Sequence, residues 1–203
     1  NINSNIEDYT RLGLHKQNLL IDPKFNLINN RYFKAREDYR INQQVSTIGL
    51  YLGHQKLEVY NNVFAEIIKN RDIQKVIVFT DYNDFDSEKI TVEKVSFSEN
   101  IVSKMLECDI IVGSAGTNAW ERAVIGIPSI YISFHALHQK PIIKLESLGF
   151  GYRLDHLENF DYVFKKISNY EFRCRIKNVS ERYFDSEGRI KLIEKLYKIC
   201  VAL

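Results

Sequence analysis

Residues 108–133, CDIIVGSAGTNAWERAVIGIPSIYIS, place a β-branched run, a cluster of small residues, a helical stretch and a second β-branched run in immediate succession. Residues 110–112 and 129–133 have the composition of buried strands. Gly113, Ser114, Ala115 and Gly116 suit a tight turn into a helix beginning near Thr117, and Gly126 with Pro128 ends that helix before the next strand. Strand, helix and strand in this order predict parallel pairing across a right-handed crossover.

Outward from this run the alternation continues. Residues 45–52, 76–80 and 90–95 are further strand candidates. Leu57, Asn61, Phe64, Ile67 and Ile68 hold helical spacing, as do Ile101, Val102, Met105 and Leu106. A short helix is expected near 29–37, and residues 157–168 and 186–200 read as closing helices. The predicted fold class is α/β, a Rossmann-like open parallel sheet with helices on both faces. Residues 1–44 read as a linker or extension and 45–203 as the ligand-binding domain. In the linker, Tyr32, Phe33, Lys34, Arg36, Tyr39 and Arg40 suit packing against a second domain better than stacking on bases. Open parallel sheets bind ligands beyond the carboxyl ends of their strands, which singles out the loops at 49–54, 113–117 and 134–140.

Composition narrows the function classes. With 45% hydrophobic and 27% charged residues, the chain has the balance of a folded globular protein. Its 28 basic and 26 acidic side chains leave a net charge of +2 with no long single-sign block, so nucleic-acid binding is not expected. No apolar run reaches the ~18–20 residues of a membrane span. Cys108, Cys174 and Cys200 are odd in number and far apart, which gives neither a zinc spacing nor a disulfide framework and points to a reducing cytoplasm. His135 and His138 have a spacing that can serve a metal, but no Asp, Glu or Cys stands at ligand spacing beside them. The acidic run at 81–88 lacks the EF-hand pattern and reads as a solvated turn. Neither a metal nor a cofactor is expected.

The chemistry centres on the first run. Small side chains at 113–116 let backbone N–H groups approach an anion closely, and a helix starting at Thr117 adds its unpaired amides and positive dipole end. The turn is thus a candidate diphosphate cradle, or else simply a tight strand-to-helix connection. Glu121 lies one turn further on the side of Thr117, where its two oxygens suit the hydroxyls of a ribose. An exposed glutamate complementing the helix dipole is the other reading. His54 follows a strand end and is the candidate catalytic imidazole, with His138 a second.

These residues resemble a known family. Gly113-Ser114-Ala115-Gly116-Thr117 with Trp120-Glu121, then Gly126-Ile127-Pro128-Ser129 and His138-Gln139, are similar to the C-terminal, nucleotide-binding half of GT-B enzymes. The nearer resemblance is to the UDP-sugar hydrolase of the pseudaminic acid pathway. A more remote one is to the family 28 glycosyltransferases, which include the enzyme that makes lipid II. The upstream IDPKFNLINNRYFKARE resembles the hydrolase's interdomain linker, and Asp185 to Ile190 its terminal helix start.

The resemblance implies a UDP-sugar ligand and an N-terminal partner domain upstream of Asn1, a position that is not an initiator Met. It implies that Ser114, Gly116 and Thr117 meet the diphosphate, and that Glu121 holds the ribose. Phe97, Asn100, Ile101 and Met105 would line the uracil pocket; core packing of an amphipathic helix is the competing role for Ile101 and Met105. Gln139 and His138 would face the sugar or β-phosphate. The implied reaction releases UDP from a deoxy-diacetamido sugar in surface-polysaccharide or flagellin-glycan biosynthesis. A glycosyltransferase half and a non-catalytic nucleotide-sugar-binding domain are the alternatives. The chain departs from the family at Gly49-Leu50-Tyr51-Leu52-Gly53-His54, where the usual glycine pair is displaced and the acidic residue is missing.

Overall fold

The structure, a computed structural model, describes residues 27–97 and 101–201. Helix α1 (Asn30–Asp38) leads into strand β1 (Thr47–Tyr51), followed by α2 (Leu57–Ile67), β2 (Lys75–Phe79), β3 (Thr91–Val95) and α3 (Ile101–Leu106). The second half runs β4 (Ile110–Ser114), α4 (Thr117–Ile125), β5 (Ser129–Ile132), α5 (Ala136–Ser147) and β6 (Gly151–Leu154). A 3₁₀ turn (Leu157–Asn159) then introduces α6 (Phe160–Ile167), α7 (Tyr170–Tyr183) and α8 (Gly188–Val201).

All six strands are parallel, in the order β3-β2-β1-β4-β5-β6. Successive residues of each strand point to opposite faces, and both faces are covered. On one side Ile77, Phe79, Ile111 and Tyr131 pack with Tyr32, Phe33, Met105, Trp120, Ala123, Leu145 and Ile176. On the other, Ile48, Leu50, Val76, Val78, Ile110, Val112 and Ile130 pack with Tyr60, Phe64, Ile67, Phe160 and Phe164. The expected Rossmann-like α/β sheet with helices on both faces is therefore the observed fold.

Several elements differ from the sequence pattern. β4 continues through Gly113 and Ser114, so the turn before α4 is only Ala115 and Gly116. The expected loop at 134–140 is mostly the first part of α5, which carries Pro141 in its interior; a proline there reads as a helix breaker. α7 and β6 were not expected. The buried residues of α7 are Arg173, Ile176 and Ser180, a face too polar to produce an apolar period. β6 is four residues long, begins with glycine and forms the edge of the sheet.

The aromatic cluster before β1 also packs differently. Tyr32 and Phe33 of α1 and Tyr39 beyond it are buried in the first core, against this domain's own helices, where packing on a second domain was expected. Tyr39 donates its hydroxyl toward the carbonyls of Cys108 and Asp109. At the amino end of β4, the buried Asp109 carboxylate accepts from Asn42 Nδ2 at 2.8 Å and from the amides of Ser46 and Thr47 at 2.9 Å each. Arg173, fully buried, donates to the carbonyls of Asn42, Gln43 and Ser168. The segment entering β1 is thereby fixed to the domain by side-chain bonds. Residues 1–26 of the expected linker lie outside the described residues.

Candidate functional site

The crossovers reverse direction between β1 and β4, because β2 and β3 extend the sheet one way and β5 and β6 the other. Such a reversal leaves a crevice at the carboxyl ends of the two central strands. A cleft of about 400 Å³ lies there, lined by Tyr51, Gly53, His54, Phe97, Thr117, Asn118 and Glu121.

The floor is the β4–α4 connection. Gly116 is the N-cap of α4 and offers no side-chain acceptor to its first amides. A Cβ on Gly116 would meet nothing within 4 Å, and its φ of −76° suits any L-residue. The fold therefore does not require glycine here, whereas an anion approaching the backbone does. Gly113 is the opposite case: a Cβ there would sit 2.6 Å from Tyr51 O and 2.8 Å from Arg122 Nη1. Its glycine serves the packing of β4 against β1 and Arg122.

The β1 loop forms the facing wall. Gly53 turns the chain at a φ of +74°, and its carbonyl lies 2.9 Å from the Tyr60 hydroxyl, which also accepts from Leu52 N. Aromatic rings complete that wall: Tyr51 lies 5.2 Å from Phe79 and 5.6 Å from Phe97, and His54 stacks on Phe97 at 5.7 Å with 21° between planes. Phe97 stays 36% exposed, which leaves part of its ring available to a flat ligand.

Glu121 stands on α4 one turn above the floor. Burial pushes its carboxyl above the ordinary range, against the pull of the neighbouring Tyr32 hydroxyl, Arg31 and Arg122. Tyr32 in turn accepts from Arg31 Nη2 at 3.0 Å and is raised to about 12, mainly by burial. α1 thus supplies a hydroxyl and a cation beside the cleft carboxylate; the sequence pattern placed Tyr32 in the linker cluster and assigned neither residue to the site. Arg122, also missed, is fully buried behind the turn. Its signal was a charge inside AWERAVI, where every other residue except Glu121 is buried apolar.

A family model for the glycosyltransferase family 28 C-terminal domain matches residues 40–145, just over half of the chain. The chain belongs to this family. The shared region runs from the segment before β1 through most of α5 and includes every residue lining the cleft. No curated protein matches the chain in sequence. Among solved structures, MurG of Acinetobacter baumannii superposes with a TM-score of 0.64 at 13% identity, over 82% of this chain and 53% of that one. The glycosyltransferase SsfS6 of Streptomyces sp. SF2575, complexed with thymidine diphosphate, gives 0.55 at 16% identity, over 77% and 43%. The glycotransferase of kitacinnamycin gives 0.56 at 13%, over 77% and 45%. The chain thus spans about half the length of these structures, and at such identities they share its fold.

Within this family domain the expected site residues separate into two groups. Phe97, Thr117, Glu121 and His54 line one cleft; Ser114 ends the strand and Gly116 caps the helix that meet there. Ile101 and Met105 are buried in the first core and do not line it, because the inward face of α3 is the face that packs on the sheet. Asn100 lies outside the described residues. His138 and Gln139 stand in the first part of α5 and also do not line the cleft. His138 is half-buried, desolvation pulls its imidazole below the ordinary value, and its Nδ1 has no partner among the described residues. His135 instead caps α5, its Nδ1 accepting from Leu137 N at 3.2 Å. Among the described residues no three His, Cys, Asp or Glu side chains form a metal-binding group, and no helix is long and apolar enough to cross a membrane.

Proposed function

We propose that this domain binds a UDP-sugar in the cleft between the β1 loop and the start of α4 and supplies the leaving-group half of a glycosyl transfer. The observation that carries this reading is the position of the open, glycine-capped start of α4 at the sheet's reversal point, with Glu121 one turn above it. The diphosphate rests on the first amides of α4, the ribose hydroxyls donate to Glu121, and the base stacks toward Phe97 and Tyr51. The thymidine diphosphate named with SsfS6 belongs to the same ligand class, a pyrimidine nucleoside diphosphate.

In the reaction, the bond between the anomeric carbon and the β-phosphate oxygen breaks, and its electron pair leaves with the diphosphate. An acceptor oxygen forms the new bond and gives up its proton to a base. Helix-terminal amides stabilise the charge that develops on the leaving oxygen. The acceptor and the base belong to a second domain in this proposal, since the cleft's own imidazole, His54, is stacked on Phe97. Water as the acceptor is the second reading, favoured by the Trp120-Glu121 and His138-Gln139 pairs that resemble the UDP-sugar hydrolase.

Calorimetric titration with UDP, thymidine diphosphate and uridine tests the site. UDP should bind distinctly better than uridine; equal affinities would remove the diphosphate from the α4 terminus. Residues 1–203 alone should bind UDP yet release it from UDP-sugars no faster than buffer does, because a positioned acceptor is missing. Robust turnover by the isolated chain would refute the two-domain reaction. Free sugar or a glycosylated acceptor, from the protein together with its second domain, separates the two readings.

A further inference from the structure

Arg122 and Arg173 are the two arginines with no exposed surface among the described residues, and their surroundings differ. The Arg173 guanidinium lies at the carboxyl end of α6, bonded to the carbonyl of the C-cap Ser168 and to two further carbonyls. The negative end of that helix complements its charge. Arg122 reaches back along α4. Its Nη1 donates to Asn118 Oδ1 at 2.7 Å, its Nη2 to the Ser114 carbonyl at 3.1 Å and its Nε to Ser129 Oγ at 3.1 Å. All three acceptors are neutral, as those of Arg173 are, so the two sites differ in the helix end beside each guanidinium. Arg122 forms no ion pair with a described residue, and its guanidinium is held near the positive end of its own helix.

A buried cation beside a positive helix terminus is costly unless an anion arrives. Burial accordingly pulls the Arg122 guanidinium below its ordinary value. The carboxylate nearest in sequence, Glu121, attracts Arg122 without forming an ion pair with it and faces the cleft and Tyr32. Gly113 lacks the Cβ that would sit 2.8 Å from Arg122 Nη1, so the strand leaves room for the guanidinium directly beneath the turn.

We propose that Arg122 is a positioning residue and the internal counter-charge of the nucleotide's diphosphate. It holds the Ser114 carbonyl and Asn118 so that the turn's amides face the cleft, and it adds a positive charge behind them without touching the ligand. The inference rests on the reading of the cleft as a UDP-sugar site.

The test compares UDP, uridine and inorganic diphosphate on the wild type, Arg122→Met, Arg122→Lys and Asn118→Asp. Arg122→Met is expected to weaken UDP by about tenfold and to leave uridine within about twofold, as the loss of a buried positive charge acting through space on the diphosphate predicts. Arg122→Lys should recover most of the loss. Asn118→Asp should raise the melting temperature, by giving the buried guanidinium an ion-pair partner, and weaken UDP, because that partner takes the place of the diphosphate. Because Asn118 itself lines the cleft, its new charge also repels UDP directly, so the discriminating readout is Arg122→Met: a simple structural role would weaken UDP and uridine alike. Should Arg122→Met not fold, the wild-type protein still decides: the ¹⁵N resonance of Arg122 Nε should shift with UDP and with inorganic diphosphate but not with uridine. An unchanged UDP-over-uridine preference in folded Arg122→Met overturns the inference, as does an Asn118→Asp protein that is no more stable or an unmoved Nε resonance. Equal binding of UDP and uridine by the wild type instead overturns the reading of the cleft itself, and this inference with it.

Discussion

At the amino end of the sheet, Asp109 accepts from two backbone amides and Asn42, and Arg173 donates to three carbonyls at a helix carboxyl terminus. At the carboxyl end, Arg122 donates to three acceptors near the positive end of its own helix, Glu121 is half-buried, and α4 starts at a glycine that gives no side-chain cap. Both ends bury charge. The amino end uses it to fasten the segment before β1 to the domain, whereas the carboxyl end keeps a cation, open amides and a carboxylate around a cleft. A buried guanidinium complemented by a helix carboxyl end serves the fold, whereas one beside a positive helix end with uncapped amides marks a site for an anion.

The comparison breaks first at Asp109. Asp109→Ala leaves two part-buried amides and Asn42 without their acceptor and should destabilise the fold by about 2–3 kcal/mol. UDP affinity of the folded fraction should be unchanged, because Asp109 lies at the far end of β4. Urea denaturation followed by titration below the transition measures both. A large affinity loss with little change in stability would reverse the roles assigned to the two ends.

Glu121→Ala probes the other end. Loss of hydrogen bonds to a charged group should weaken UDP by about 1.5–3 kcal/mol, with the melting temperature close to that of the wild type. Unchanged affinity would take Glu121 out of the site. Gly116→Val is a finer test. Its side chain enters open space, so the fold should survive, while the UDP-over-uridine preference should fall by about 1–2 kcal/mol as the amides are screened from the diphosphate. A melting temperature far below the wild type would mean that Gly116 serves the fold after all.

Most of the fold was legible in the sequence, because buried parallel strands are β-branched runs and the amphipathic helices between them repeat at 3.6 residues. The elements that escaped carry no such signal: α7 buries an arginine and a serine, α5 contains Pro141, and β6 is a short edge strand. The site was legible where it depends on local sequence, at Gly116, Thr117 and Glu121 along one turn and helix. It was illegible where it depends on elements meeting in space. Tyr32 and Arg31 reach Glu121 from a helix that precedes the sheet, whereas Tyr51 lies in the 49–54 segment that the strand-end rule does single out. Ile101 and Met105 show the converse, since an amphipathic helix beside a site directs its apolar residues to the core.

The smallest expected effect, and the sharpest test of how the two ends differ, is the pH dependence of Glu121. Burial raises its folded value above the ordinary 4.5, in spite of Arg31, Arg122 and the Tyr32 hydroxyl. The folded protein without ligand therefore holds this proton more tightly than the unfolded chain does. The resulting stabilisation is fully present below 4.5 and is lost as pH rises through the folded value. Glu121→Gln removes that loss, so its melting temperature relative to the wild type should be higher at neutral pH than near pH ~4. Nucleotide binding should run the other way. Ribose hydroxyls donate to the ionised carboxylate, so wild-type UDP affinity should increase through the same window with release of a proton, and Glu121→Gln should flatten that increase. Melting curves and titration calorimetry in buffers of different ionisation enthalpy, from about pH 4 to 7, measure both slopes. Stability and affinity changing in the same direction with pH would show that the buried carboxylate belongs to the fold, as Asp109 does, and would erase the distinction between the two ends of the sheet.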